Sequence, residues 1–368
     1  MKVLLLTVTA GQGHNQAAKS LCEYLENAGI ENEYLDIFEY ISPVLKEALA
    51  HGYIMSAKRF SKLYGKFYRL AECGGSRERR MLKITNNIMA RKLLSYIEDT
   101  APDVIVCTHV FAALLISAIK HEMNPDIKTL GIVTDFTIHP YWENTDIDFY
   151  ITASELLANQ AEKRGIPADK LLPIGIPIQP KFSEKTDKQT ARAALGLKDK
   201  DTVLVMSGSM GYGKVGKVID ALDTIPLDFQ IVSVCGYNER LKKNIDRKKL
   251  TKDIVNIGFS DKVDLYMDAA DCIITKPGGL TTSEALAKGV PIIMVNPIPG
   301  QEDRNAEFLL NNGAALKVSK TFPVDDAVYQ LFSNTVRLKT LKETVSFLGK
   351  PDSTRDFVNF IINLQGGK

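Results

Sequence analysis

Short apolar runs of strand length alternate with longer helix-like segments from one end of the chain to the other, and this alternation restricts the fold more than any other feature. It is the pattern of parallel α/β domains, in which each crossover between neighbouring strands carries a helix, rather than of a sandwich. In the first half it predicts strands at Lys2–Val8, Glu33–Ile37, Val104–Thr108, Thr129–Thr134, Phe149–Thr152 and Leu171–Ile174. In the second half it predicts Thr202–Ser207, Gln230–Cys235, Ile254–Ile257, Cys272–Thr275, Pro291–Val295 and Ala314–Val318. Two doubly wound α/β units follow.

A length of 368 residues also calls for two domains, since single cores stop growing near 250–300 residues. After Pro177-Ile178-Gln179-Pro180-Lys181 the chain turns polar and charged, with a short helical pattern around Ala191–Leu195. The expected division is therefore a first domain over 1–180, a linker over 181–200, a second domain over 201–345 and a C-terminal helical segment over 346–368 whose docking site the sequence does not show, a return to the first domain being one option. The amphipathic pattern there runs over Ser353–Leu364. At 45% hydrophobic and 24% charged residues, disorder, collagen and coiled coil are excluded. The five cysteines are far apart and never form a C-x-x-C pair, which points to a reducing compartment and a cytoplasmic chain. No secretory core or run of about 18 apolar residues is visible.

Lys and Arg number 46 against 44 Asp and Glu, a net charge of +2 that argues against a general nucleic-acid binder. The distribution is uneven. Residues 43–95 hold twelve basic and three acidic residues, net +9, which leaves −7 for the remainder. On a helical projection Phe60, Leu63, Tyr64, Phe67, Leu70 and Ala71 share one face, and Lys58, Arg59, Lys62, Lys66 and Arg69 share the opposite one. An aromatic face backed by a basic face is the composition of a helix lying in a membrane interface, with about 1 kcal/mol of attraction per cation near anionic lipid. The plainer alternative is an apolar face packed on the sheet with solvated cations.

Ligands of open parallel sheets sit beyond the carboxyl ends of the strands. Three of the five histidines fall there, either lining a cleft or as solvated or capping residues: His14 after the first strand, His109 after Val104–Thr108 and His139 after Thr129–Thr134. Gly11-Gln12-Gly13-His14 opens a helix but lacks the G-x-G-x-x-G spacing of a dinucleotide site. A second glycine run, Gly208-Ser209-Met210-Gly211-Tyr212-Gly213, follows the first strand of the second half and lacks P-loop spacing. The most informative stretch is Thr275-Lys276-Pro277-Gly278-Gly279-Leu280-Thr281-Thr282-Ser283-Glu284. Free amides, hydroxyls and a helix dipole at such a turn make a seat for phosphate, and Glu284 either accepts both hydroxyls of a ribose or caps its own helix. The loop Pro299-Gly300-Gln301-Glu302 groups amide and carboxylate suited to sugar hydroxyls, or else is a solvated loop with a helix cap. Asp146-Ile147-Asp148 spells a D-x-D but opens a strand, and a metal role is not expected.

Taken in order, Gly11-Gln12-Gly13-His14-Asn15-Gln16-Ala17-Ala18, Val133-Thr134-Asp135-Phe136 with His139 and Trp142, Gly258-Phe259, Lys276-Pro277-Gly278-Gly279 with Glu284-Ala285, and Pro299-Gly300-Gln301-Glu302 resemble the inverting, UDP-sugar-using glycosyltransferases with two Rossmann-like domains. The likeness is to the branch of the monogalactosyl- and glucosyl-diacylglycerol synthases, related to the lipid-II N-acetylglucosaminyltransferase. It implies the GT-B fold, two doubly wound domains facing across a cleft. It implies hexose transfer, glucose rather than galactose, from UDP-hexose to diacylglycerol with inversion, with an anionic membrane surface as partner on the inner face of the cell membrane, no nucleic acid, no cofactor and no metal.

By the resemblance, His14 is the base, oriented or replaced in that role by Asp135. Gly278, Gly279, Thr281 and Thr282 receive the diphosphate with Ser209 and Gly211 beside the phosphates, Glu284 holds the ribose, and Gly13 joins the UDP-sugar site. Phe259 and Ser260 border the uracil, and Gln301 and Glu302 hold the sugar. His109, His139 and Trp142 join the basic amphipathic segment on the acceptor side. Gln12, where relatives carry glycine, is a departure from the pattern. A UDP-sugar 2-epimerase or a non-catalytic UDP-sugar sensor would share the architecture without a lipid acceptor.

Overall fold

The computed structural model describes residues 1–8, 12–41, 90–206, 208 and 214–366. The chain divides into two compact units, Met1–Pro180 with Pro299–Gln301 and Asp352–Lys368, and Lys181–Ile298 with Glu302–Pro351. The amphipathic segment expected around Phe60, Tyr64 and Phe67, with Lys58, Arg59, Lys62, Lys66 and Arg69, lies outside the described residues, as do Ser209 and Gly211.

The first unit holds a parallel sheet of β1 (Lys2–Thr7), β2 (Glu31–Asp36), β3 (Val104–Cys107), β4 (Lys128–Ile132), β5 (Phe149–Ile151) and β6 (Leu171–Leu172), in the order β2-β1-β3-β4-β5-β6. The second holds β7 (Thr202–Met206), β8 (Gln230–Val234), β9 (Ile254–Ile257), β10 (Cys272–Thr275), β11 (Ile292–Met294) and β12 (Ala315–Lys317), also all parallel, in the order β12-β11-β10-β7-β8-β9. All twelve strands fall where the apolar runs placed them. Strands buried on both faces read as unbroken apolar stretches, and β3, β7, β8, β10 and β11 are buried at every position.

In each sheet the strand order reverses once, between β1 and β3 in the first and between β7 and β10 in the second. Loops leave such a point in opposite directions and open a crevice at the carboxyl ends of the strands. The sequence puts its glycine turns and histidines at these two places.

The helix Ser353–Gly366 completes the core of the first unit. Phe357, Val358 and Ile361 are fully buried with Leu21 and Leu25 of the helix Gln12–Asn27 and with β1, β3, β4 and β5 residues. Burying each such side chain stabilises by about 2 kcal/mol. The start of the helix is tied by Ser353 Oγ donating to the Ile176 carbonyl at 3.0 Å and Thr354 Oγ1 donating to the Ile178 carbonyl at 2.5 Å.

Residues 181–200, expected as a linker, are folded onto the second unit. Asp187 caps the helix Lys188–Ala194, whose Arg192 is buried and pairs with Asp271 at 2.7 Å and with Asp199 at 2.9 Å. Lys188 and Arg192, two of the charges that suggested an exposed linker, are ion-pair partners of the buried Asp271.

Candidate active site

At the crevice of the first sheet, β1 leads into the helix Gln12–Asn27, so His14 stands in its first turn. The His14 Nδ1 lies 2.9 Å from the carbonyl of Thr108, which follows β3, and 3.0 Å from Oγ1 of Thr134, which follows β4. A carbonyl only accepts, so Nδ1 carries the proton and Nε2 carries the lone pair. A chain of hydroxyls supports this corner: Thr108 Oγ1 donates to Thr7 Oγ1 and Thr7 Oγ1 donates to Asn15 Oδ1, both at 3.0 Å. Burial pushes the His14 pKa below its ordinary value, while the nearby Asp135 carboxylate and the Thr108 carbonyl pull it back up. The imidazole is therefore neutral at pH 7 with a fixed tautomer, the state a general base requires.

The other two histidines differ. His109 meets the His14 ring edge-on, with centroids 4.6 Å apart, and its Nδ1 accepts from the backbone N–H of Phe111 as the N-cap of the helix Val110–Ile119. Burial and the two neighbouring histidines hold its pKa well below the ordinary value. His139 Nδ1 likewise accepts from the Tyr141 N–H, and burial with the nearby Arg164 charge lowers its pKa to about 4. Their Nδ1 atoms are committed to helix caps. Trp142 requires a correction as an acceptor-side residue: it is 4% exposed and its ring packs over Gly131, whose missing Cβ makes the room. The D-x-D is likewise structural, because Asp148 accepts from the backbone N–H and hydroxyl of Thr129 and pairs with Lys120 at 3.0 Å.

At the crevice of the second sheet, β10 ends at Thr275, and Gly278 is the N-cap of the helix Gly279–Lys288 without a side-chain cap bond, so the first-turn amides are open toward an anion. Thr281 is partly exposed. Thr282 is fully buried, and its Oγ1 has no hydrogen-bond partner among the described residues. Glu284, one turn in, is 8% exposed, and burial raises its pKa to about 8; Lys181 acts to lower it and Asp264 to raise it further. Glu302 is buried, with Oε2 accepting from the Ile298 N–H at 2.6 Å and Oε1 3.6 Å from Lys276 Nζ. A Cβ on Gly278 would sit 3.7 Å from that same Oε1. Asn305 Nδ2 donates to the Pro277 carbonyl at 3.0 Å and holds the turn from below. Gln301 begins the helix Gln301–Asn311.

Phe259 follows β9 and is 57% exposed, stacked on the 67% exposed ring of Tyr237 after β8, with centroids 4.5 Å apart and planes 10° from parallel. The Ser260 hydroxyl accepts from the Lys262 N–H at 3.1 Å. Tyr237, Thr108, Thr134, Lys181 and Asn305 were given no role from the sequence. Thr108, directly after β3, and Thr134, two residues after β4, carried a signal in their places at strand ends.

The candidate site is thus carried by two open parallel sheets, each with its crevice at a strand-order reversal, one holding a neutral imidazole and the other an uncapped helix start beside a buried carboxyl. Comparison with known proteins takes this to the family. Residues 14–178 match the model of monogalactosyldiacylglycerol (MGDG) synthase, and residues 202–352 match that of the glycosyltransferase family 28 C-terminal domain. A processive diacylglycerol beta-glucosyltransferase of Bacillus licheniformis is 30% identical over 98% of this chain and 94% of its own length, and one of Bacillus pumilus is 29% identical over the same shares. Among solved structures, MurG of Acinetobacter baumannii is similar with a TM-score of 0.62 at 16% identity, covering 98% of this chain and 99% of its own. HepE of Anabaena, solved in complex with UDP, is similar with a TM-score of 0.58 at 14% identity, covering 99% and 100%. The chain belongs to the family of the processive diacylglycerol beta-glucosyltransferases.

Proposed function

We propose that this enzyme moves glucose from UDP-glucose to the free hydroxyl of diacylglycerol with inversion, forming a β-linked glycolipid, and does so as a peripheral protein on the cytoplasmic face of the membrane. The observation that carries the reading is His14, whose Nδ1 is fixed by the Thr108 carbonyl and the Thr134 hydroxyl and whose Nε2 is left with the lone pair. In a single displacement, Nε2 takes the proton of the acceptor hydroxyl as its oxygen attacks the anomeric carbon from the face opposite UDP. Negative charge then builds on the departing diphosphate, which the open amides and the dipole at Gly279 stabilise with the Gly278 turn and the Thr281 and Thr282 hydroxyls. A bound phosphate oxygen would also satisfy the buried Thr282 hydroxyl. The helix dipole takes the part that a divalent cation plays in metal-dependent transferases, and the reading includes no metal.

Glu284 accepts the ribose hydroxyls, Phe259 borders the uracil, and Glu302 with Gln301 meets the sugar. The nucleotide and lipid assignments are supported by the names of the relatives and by the UDP complex of one structural neighbour. The membrane assignment is supported by the basic amphipathic stretch within 43–95, and no helix among the described residues is long and apolar enough to cross a bilayer.

Mass spectrometry of the lipid formed when UDP-glucose and UDP-galactose compete over diacylglycerol vesicles tests the reading. Hexosyl-diacylglycerol carrying label from UDP-glucose is the expected product. Label from UDP-galactose alone would overturn the donor assignment, and binding without any product would leave a UDP-sugar sensor.

A further inference from the structure

The chain carries a second concentration of positive charge, and this one lies wholly within the described residues. From Glu239 to Lys252 there are seven Lys or Arg against two acidic residues, net +5 in a chain whose total is +2. Three of the seven are engaged: Lys242 with Asp246 at 3.0 Å, Lys248 with Asp220 at 2.5 Å, and Lys252 with the Ile225 and Leu227 carbonyls and the Phe229 ring. Arg240, Lys243, Arg247 and Lys249 are exposed and have no carboxylate at ion-pair distance among the described residues.

Their arrangement is set by the helix Glu239–Asp246, whose last turn continues in helical conformation through Arg247. At about 100° per residue, Arg240, Lys243 and Arg247 fall within an arc of about 60°, on the side opposite Ile245. Ile245 is 2% exposed and anchors the helix to the second sheet, so the three cations point away from the core. Like charges three and four residues apart work against a helix. Lys243 in the last turn and Arg247 at the C-cap favour the helix dipole, but Arg240 in the first turn opposes it, and the helix is held by Ile245 and by its N-cap, Asn238 Oδ1 accepting from the Leu241 N–H at 3.0 Å.

We propose that this face is a docking surface for anionic lipid head groups, in addition to the one read from the basic stretch within 43–95. The inference rests on the reading that the acceptor is a membrane lipid. Three cations on one rigid helix face, one turn or one residue short of it apart, meet a flat anionic surface together, and docking there removes their mutual repulsion. An enzyme whose acceptor is confined to a bilayer gains from each additional contact, because encounters with acceptor then take place at the surface.

Co-sedimentation of the full chain with phosphatidylglycerol/phosphatidylcholine vesicles and with pure phosphatidylcholine vesicles tests this. The variants are R240Q/K243Q/R247Q and a charge-matched control, K128Q/K320Q/K339Q, drawn from exposed lysines elsewhere. Each cation near an anionic surface contributes about five-fold to partition, so the helix triple should lose at least tenfold on anionic vesicles, while the control changes by less than about twofold. UDP affinity, measured alongside, should be unchanged in both and reports that the second unit is folded. Equal losses in the two triples, or none in the helix triple, overturn the inference. A wild type that ignores anionic vesicles yet forms glycolipid from dispersed diacylglycerol overturns it and leaves the enzymatic reading standing; one that does neither overturns both. Loss of duplex or single-stranded DNA binding with vesicle partition intact would assign the face to nucleic acid and overturn the lipid assignment.

Discussion

Uridine should bind the second unit more tightly as pH rises through neutrality, and Glu284 is the reason. Burial holds its carboxyl at a pKa of about 8 in the free protein, against an ordinary value of 4.5, so at pH 7 it is about 90% protonated. A carboxyl that accepts both ribose hydroxyls has to be ionised, because the protonated form keeps one oxygen as a donor. Binding must then expel about 0.9 proton at pH 7 and about half a proton at pH 8. By linkage the association constant rises about ninefold from pH 6 to 7 and about fivefold from pH 7 to 8. Calorimetry in buffers of differing ionisation enthalpy measures the proton count directly. Uridine is the better probe than UDP, whose terminal phosphate itself titrates near 6. The variant E284Q should bind weakly and with no pH dependence over this range. The same shift acts on folding: the native state holds a proton that the unfolded chain has lost, so the contribution to stability is full below about 4.5 and is lost as pH rises through about 8. E284Q should remove that slope. Zero proton release, or a pH-independent affinity in the wild type, would refute the ribose assignment.

Replacement of His14 by Ala should lower turnover at least about 100-fold and leave UDP affinity within about twofold, since a general base acts only in the chemical step; wild-type turnover in that variant would remove His14 from the mechanism. Because burial depresses the His14 pKa, the acid limb of kcat should fall below the ordinary imidazole value of about 6.5, with the base neutral and the rate level at pH 7; a limb above 6.5 would contradict the environment described. Gly131→Ala should cost about 1–3 kcal/mol in urea unfolding, because the new Cβ would sit 2.7 Å from the Trp142 ring and nearer still to Ile147; an unchanged midpoint would mean that the tryptophan does not pack there. Phe357→Ala should cost about 3–5 kcal/mol by the same assay, and an effect under about 1 kcal/mol would dissociate the C-terminal helix from the core of the first unit.

The sheets were legible because buried parallel strands are unbroken apolar runs, a property of neighbouring residues alone. His14 was legible for a related reason: a glycine turn after the first strand places the next side chains at the crevice whatever else the chain does. What His14 does there depends on Thr108 and Thr134, 94 and 120 residues away, and no local pattern marks a carbonyl as the group that fixes a tautomer. His109 and His139 also stood after strand ends, where a solvated or capping histidine was the alternative reading, and the structure shows their Nδ1 atoms spent on helix caps. Charge misled once: the stretch 181–200 has a linker's composition, yet Arg192 lies buried against Asp271. A charged residue does not reveal its partner when that partner is distant in sequence. Tyr237 had no signal, since its stacking on Phe259 joins the ends of two different strands.

In the proposed reaction a hydroxyl activated at His14 displaces UDP from glucose to leave a β-linked glycolipid. A single-turnover reaction of the enzyme with anomerically labelled UDP-glucose and diacylglycerol-containing vesicles, read by NMR of the extracted lipid, tests it most directly. The expected product is glucosyl-diacylglycerol in the β configuration, formed by the wild type and lost in His14→Ala. A product of α configuration, or bound UDP-glucose that yields no glycolipid, would contradict it.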